Sequence, residues 1–208
     1  MMTTLKLFHS PASPYVRKVL VSAHEKGVAH QIELLPSAAG PVKRDQTIIP
    51  HNPSGKVPTA VLPDGQPLFD SRVICAYVDT LSETPRLVPT SHDERFRVLT
   101  LEALADSILD AALLCRYETV MRPEEKRWAD WYNGQMEKID SGLDDLSRNW
   151  LGRLQGSVSA GSIAVACTLG YLDFRFADKD WRTGRNALAD WYGVFAERES
   201  MKATWPRG

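Results

Sequence analysis

Residues 52–71 read N-P-S-G-K-V-P-T-A-V-L-P-D-G-Q-P-L-F-D-S, and this stretch decides the fold. Thr59–Leu62 and Gln66–Phe69 are short apolar runs on either side of Pro63-Asp64-Gly65, which is a hairpin signal. Pro58 stands just ahead of the first run, where a residue without an N–H cannot break the sheet ladder. Asp70-Ser71 closes the second run and precedes Val73, Ile74, Tyr77, Val78 and Leu81, which recur at helical spacing. The stretch therefore encodes strand, turn, strand, helix.

Working upstream, Leu5–Phe8 is a short strand. A helix follows, with Ser13 at its N-cap and Pro14 at its first position. Val16, Val19, Leu20 and Ala23 line its apolar face, and Gly27 stops it. A second strand runs near His30–Leu35, with Ile32 and Leu34 on one face. Residues 36–54 form an irregular connection with at most one helical turn. The order is β-α-β, a connection, then β-β-α.

Downstream, Pro85 and Pro89 interrupt a polar stretch, and from Asp93 every periodic segment is helical. Asp93–Val120 has apolar residues on nearly all sides, as a central buried helix does. Pro123 is expected to open the next helix, which carries Trp128, Trp131, Ile139, Leu143 and Leu146. Ser162–Phe176 is again apolar all round, and Leu188, Trp191, Tyr192 and Phe195 mark a last amphipathic helix. The expected domains are 1–82 (α/β), a linker at 83–91, and 92–208 (all-α).

Composition narrows the function. The chain has 208 residues, 43% hydrophobic and 25% charged, as in ordinary globular proteins. Lys plus Arg number 25 against 26 Asp plus Glu, so neither a basic excess nor a basic run suggests nucleic acid. No apolar run reaches the ~18 residues of a membrane span, and the N-terminus lacks a secretory pattern, so the cytoplasm is expected. Cys75, Cys115 and Cys167 lie in apolar surroundings and read as buried hydrophobes. No metal-ligand spacing, phosphate loop, nucleophile elbow or dinucleotide fingerprint occurs.

Three local constellations remain. Ser13 sits at a helix N-terminus, where free N–H groups and the helix dipole favour an anion such as a thiolate. It reads first as a plain cap, and the two roles are compatible, because a cap accepts a hydrogen bond while a thiolate partner donates one. Gly55-Lys56-Val57-Pro58 offers a second: a cis Val57–Pro58 bond would turn the Val57 backbone outward toward a peptide ligand, and a trans one would simply start a strand. Asp70-Ser71 reads as a helix cap or as a receptor for an α-amino-acid end.

Together, S-P-A-S-P-Y-V-R-K-V, N-P-S-G-K-V-P and F-D-S-R-V-I resemble the glutathione S-transferases. In the helical half, E-A-L-A-D-S-I-L-D-A, Y-L-D-F-R and R-E-S-M-K-A-T look like one bacterial branch of that superfamily. The resemblance covers essentially the whole chain. It implies an α/β thioredoxin-like N-terminal domain followed by an all-α C-terminal domain, and a glutathione-dependent transferase acting on an electrophilic small molecule. By the same resemblance Ser13 is the thiol-activating hydroxyl, with Ser10 as its rival in the same loop. Lys56, Val57 and Pro58 form the segment that pairs with the cysteinyl part of glutathione, Asp70 and Ser71 hold its γ-glutamyl end, and Lys43 faces its glycine carboxylate. Glutathione is then a substrate, and attack by its thiolate requires no metal. A homodimer is implied, with neither nucleic acid nor membrane as partner. A superfamily member that binds glutathione or a protein without turnover is the alternative.

Two expectations concern the helical half. Glu102, Asp106 and Asp110 recur at four-residue spacing, a stripe that calls for solvent, cations or nearby arginines; Asp110, Arg116 and Tyr117 are the candidate electrophile site. Ser159-Ala160-Gly161-Ser162 stands where the family carries a capping box ending in a carboxylate, so a weaker helix start is expected.

Overall fold

The computed structural model describes residues 5–208; residues 1–4 of the first expected domain lie outside them. The chain divides into two compact units. One holds the chain up to Val88 together with Glu199–Gly208, and the other is Pro89–Arg198. The last ten residues thus group with the α/β unit, where the sequence reading had assigned them to the helical one.

In the first unit, β1 (Leu5–His9), α1 (Pro14–Glu25), β2 (Ile32–Pro36), β3 (Thr59–Val61), β4 (Pro67–Leu68) and α2 (Ser71–Thr80) follow the expected order. The sheet order is β2-β1-β3-β4, with β1 and β2 parallel and the other pairs antiparallel. Leu5, Leu7 and Ala60 of the sheet bury against Val16, Val19 and Ala23 of α1 and against Ile74 and Val78 of α2. Gly27 ends α1 with φ +70°, a conformation that suits glycine. Ile32 packs against this core, whereas Leu34 is 44% exposed. As an edge strand, β2 does not bury the whole apolar face that its alternation suggested.

Two long-range clasps complete this unit. The buried Lys26 ammonium donates to the carbonyls of Ser82 (2.6 Å) and Pro85 (2.5 Å) and lies 3.1 Å from the Asp79 carboxylate. Asp79 in turn accepts the N–H groups of Leu87 (2.8 Å) and Val88 (3.1 Å). The segment expected to act as a linker is thereby fastened to α1 and α2. Arg17 of α1, also buried, donates to the Met201 carbonyl at 3.1 Å and stacks 5.3 Å from the Trp205 ring. This brings α8 (Glu199–Ala203) onto α1.

The second unit comprises α3 (His92–Val120), α4 (Ala129–Asp145), α5 (Leu151–Leu154), α6 (Ala160–Arg175) and α7 (Asn186–Ala196). α3 is the central helix, and close approaches fix its neighbours. A Cβ on Gly142 of α4 would lie 2.5 Å from Ile108, and one on Gly161 of α6 would lie 3.0 Å from Leu101. Pro123 opens only a single 3-10 turn, Glu124–Lys126, and α4 starts later than expected. The reason lies in α3: Glu118 accepts the Trp128 N–H at 2.8 Å, and Arg127 donates to the Thr119 carbonyl at 2.6 Å. These bonds hold the connection in a course that a continuous helix could not follow.

Two further expectations are revised. Ser159 and Ser162 form a full capping box: the Ser162 N–H donates to Ser159 Oγ (3.2 Å), and the Ser159 N–H donates to Ser162 Oγ (2.8 Å). A serine hydroxyl thus replaces the missing carboxylate. The acidic stripe is not a solvated face, since Glu102 (3% exposed) and Asp106 (2%) are buried and only Asp110 is exposed. The three cysteines are buried and none is in a disulfide; burial pushes the Cys115 thiol up to about 11. No helix among the described residues is long and apolar enough to cross a membrane.

Candidate functional site

The sheet register brings three of the sequence-derived segments to one end of the sheet. Phe8, near the end of β1, pairs with Thr59 at the start of β3, and Ala60 pairs with Leu68 at the end of β4. Hence the turn after β1 (Ser10–Ser13), the approach to β3 (Lys56–Pro58) and the junction after β4 (Asp70–Ser71) emerge together. β2 ends there too, since His9 pairs with Pro36.

Ser13 occupies the N-cap of α1 and accepts the Val16 N–H at 3.3 Å, while its own N–H donates to the Ser10 carbonyl at 3.0 Å. Neither the Ser13 nor the Ser10 hydroxyl proton has an acceptor among the described residues. A cap consumes only a lone pair, so Ser13 can cap the helix and still donate to a ligand. The backbone N–H of Arg207 donates to the Pro11 carbonyl at 3.3 Å, placing the C-terminal segment against this same turn.

The Val57–Pro58 bond is cis, and no hydrogen bond reaches the Val57 N–H or C=O among the described residues. Pro58 is buried, Val57 half-buried and Lys56 exposed. Asp70 caps α2 by accepting the Arg72 N–H at 3.0 Å. Its side chain is still 63% exposed, with the Arg72 guanidinium 4.0 Å from the carboxylate, so capping leaves room for a further cation. Ser71 is buried at the first turn of α2. Lys43 is an exposed side chain on the connection after β2. In the helical unit, Arg116 and Tyr117 are half-buried on α3, and Asp110 is exposed on the same helix.

Residues 12–81 match the family described as Glutathione S-transferase, N-terminal domain, and residues 129–193 match Glutathione S-transferase, C-terminal domain. The chain belongs to the glutathione S-transferase superfamily. It is 36% identical over 205 residues to the uncharacterized GST-like protein YibF of Escherichia coli (strain K12), covering 97% of this chain and 98% of that one. A glutathione transferase family member from Pseudomonas fluorescens Pf-5, solved with bound glutathione, superposes with TM-score 0.97 at 45% identity, covering 99% of this chain and all of the other. A structure of a Pf-5 family member with bound S-(propanoic acid)-glutathione gives TM-score 0.92 at 44% identity, covering 98% and 100%.

Within this transferase fold, two residues not singled out in the sequence shape the site. Asn52, 2% exposed, donates to Thr59 Oγ1 (2.9 Å) and accepts both the N–H (3.0 Å) and hydroxyl (2.7 Å) of Ser54. Thr59 donates onward to the Lys56 carbonyl at 2.8 Å. One buried amide therefore sets the loop that presents Val57. Asp45 does the same for the connection bearing Lys43, accepting from Ala38 N (2.8 Å), Ser37 Oγ (3.0 Å) and both Thr47 donors (2.9 and 2.6 Å). These bonds, the Thr47 hydroxyl foremost, hold its carboxyl down at about 2. The Asn of N-P-S-G-K-V-P was a visible signal for the first; a lone Asp in an irregular stretch offered little for the second.

Proposed function

We propose that the protein is a glutathione transferase that activates the glutathione thiol and directs it at an electrophilic carbon of a small molecule. The observation that carries this reading is Ser13: a helix-capping hydroxyl whose proton is uncommitted, at the positive end of α1. A hydroxyl there donates to sulfur and lowers the cost of the thiolate at neutral pH. The thiol proton passes to solvent. The sulfur's electron pair forms the new C–S bond, and the leaving group departs with its own pair.

The remaining roles follow the converging segments. The Val57 backbone pairs with the cysteinyl part of glutathione, beside Lys56 and Pro58. Asp70 receives the γ-glutamyl ammonium, Ser71 and the first amides of α2 receive the adjoining carboxylate, and Lys43 faces the glycine carboxylate. Ser10 is the second hydroxyl available to the sulfur. Arg116 and Tyr117, with Asp110 on the same helix, serve the acceptor. Relatives that bind glutathione and S-(propanoic acid)-glutathione, a thioether of it, support a thiol-transfer reading. We place the protein in the cytoplasm, as a homodimer.

The test pairs calorimetry with turnover. Glutathione should bind once per chain, and activated electrophiles such as halonitroarenes should be conjugated faster than in buffer. Binding without turnover of any electrophile would leave a glutathione-binding protein that has lost catalysis; absence of binding would overturn the reading.

A further inference from the structure

The helical unit carries a set of donors that the sequence reading saw only in part. Arg116 and Tyr117 are consecutive on α3. Tyr171 and Arg175 stand one turn apart on α6, and so share a face of the helix that packs along α3. Tyr171 is only 5% exposed, yet its hydroxyl has no hydrogen-bond partner among the described residues. The guanidinium of the half-buried Arg116 makes neither a hydrogen bond nor an ion pair among the described residues. The Arg175 guanidinium lies 3.8 Å from the centre of the Phe174 ring, and Tyr171 meets Phe176 edge-on at 6.4 Å.

The electrostatics tie these groups together. Burial pushes the Tyr171 phenol up to about 12, while the positive charges of Arg116 and Arg175 pull the other way. Burial, and then the like charge of Arg116, hold Arg175 below the usual guanidinium range. Burial raises Tyr117 as well, opposed by Arg116. Both phenols are therefore neutral donors. α3 and α6 run side by side in the same direction, with Gly161 against Leu101 and the Thr168 hydroxyl donating to the Ala105 carbonyl at 3.2 Å, and this register carries Arg116 toward Tyr171 and Arg175. Two cations and two hydroxyls in one place suit an anion: guanidinium forks match a carboxylate, and phenol protons add to them.

We infer that the acceptor substrate carries a carboxylate, held by Arg116 and Arg175 with hydroxyl hydrogen bonds from Tyr117 and Tyr171. The inference rests on the transfer reading and names the class of its electrophile. The apolar rings of Phe174 and Phe176 suit an aromatic or unsaturated body attached to the acid.

The test compares 4-chloro-3-nitrobenzoate with 4-chloro-3-nitrobenzamide, each rate divided by its uncatalysed rate with glutathione. In both, sulfur bonds to the carbon bearing chlorine, chloride leaves with the bonding pair, and the thiol proton goes to buffer. The acid should be preferred by about tenfold or more in kcat/KM, the scale of a charged hydrogen bond. Arg116→Gln and Arg175→Gln should each remove most of that preference, and Arg116→Lys should keep part of it.

Binding provides a readout without turnover. Calorimetry should find S-(2-carboxyethyl)glutathione binding about tenfold more tightly than its carboxamide, with the difference lost in Arg116→Gln. Glutathione affinity itself should stay unchanged in that variant. Equal binding of acid and amide conjugates, with glutathione still bound, would overturn the inference and leave the transferase reading standing. No binding of glutathione to the wild type would overturn both.

Discussion

At the scale of single residues, Ser13 carries two roles that one substitution can separate. Ser13→Ala removes the cap on α1 and should lower stability by ~1 kcal/mol. It should also raise the pKa of bound glutathione, seen as a shift in thiolate absorbance against pH. Coincident titration curves for wild type and variant would leave Ser13 as a cap and make Ser10 the better candidate. Asp70 has a similar double duty, since its carboxylate caps α2 through the Arg72 N–H. Asparagine also caps well, so Asp70→Asn should keep the fold while weakening glutathione binding by about 1.5–3 kcal/mol, the value of a charged hydrogen bond. Unchanged affinity by calorimetry would move the γ-glutamyl site elsewhere. Asp45 allows a pH test. Its carboxyl is held at about 2 against an ordinary 3.8, so the folded state favours the ionised form. The stabilisation is fully present above 3.8 and is lost as pH falls toward about 2. Denaturation midpoints of wild type and Asp45→Asn should differ near neutrality and converge in acid; a gap independent of pH would refute this.

Among the elements, the connection after α2 is held by charge rather than by apolar packing alone. Lys26 and Asp79 are both buried, and between them they tie the carbonyls of Ser82 and Pro85 and the N–H groups of Leu87 and Val88. Removing one partner strands the other as a buried charge, which typically costs about 3–5 kcal/mol. Lys26→Met should therefore destabilise by that amount in urea denaturation, whereas Lys26→Met with Asp79→Leu should recover part of it. A single variant as stable as wild type would show that the clasp contributes nothing net. The α6 capping box makes the opposite point: a short hydroxyl at Ser162 reaches the Ser159 N–H as a longer carboxylate would.

For the whole molecule, exposed apolar side chains support the proposed homodimer. Phe69, just before α2, is 42% exposed and Val73, in its first turn, 47%, where solvent is a poor neighbour for either. A two-fold pairing would give such a patch an apolar surface to meet. Sedimentation equilibrium at micromolar concentration should return about twice the 23.3 kDa chain mass. A mass equal to that of one chain would refute the dimer.

What the sequence determined by itself was local. Caps at Ser13 and Asp70, the Pro63-Asp64-Gly65 turn, the Gly27 stop and the helical periodicities all act over a few residues, so they could be read without knowing the fold. From them came the element order, and the motifs supplied the segments that the register gathers at one end of the sheet. Tertiary structure alone decided the rest. Arg17 meets Met201 across 184 positions, Lys26 meets Ser82 across 56, and no spacing rule connects either pair. Glu102 and Asp106 are buried while Asp110, at the same four-residue spacing, is exposed. Tyr171 and Arg175 join Arg116 only because α6 lies along α3. Periodicity tells a helix which face is apolar; it does not tell that face which neighbour will cover it, and burial, charge coupling and ligand chemistry all depend on the neighbour.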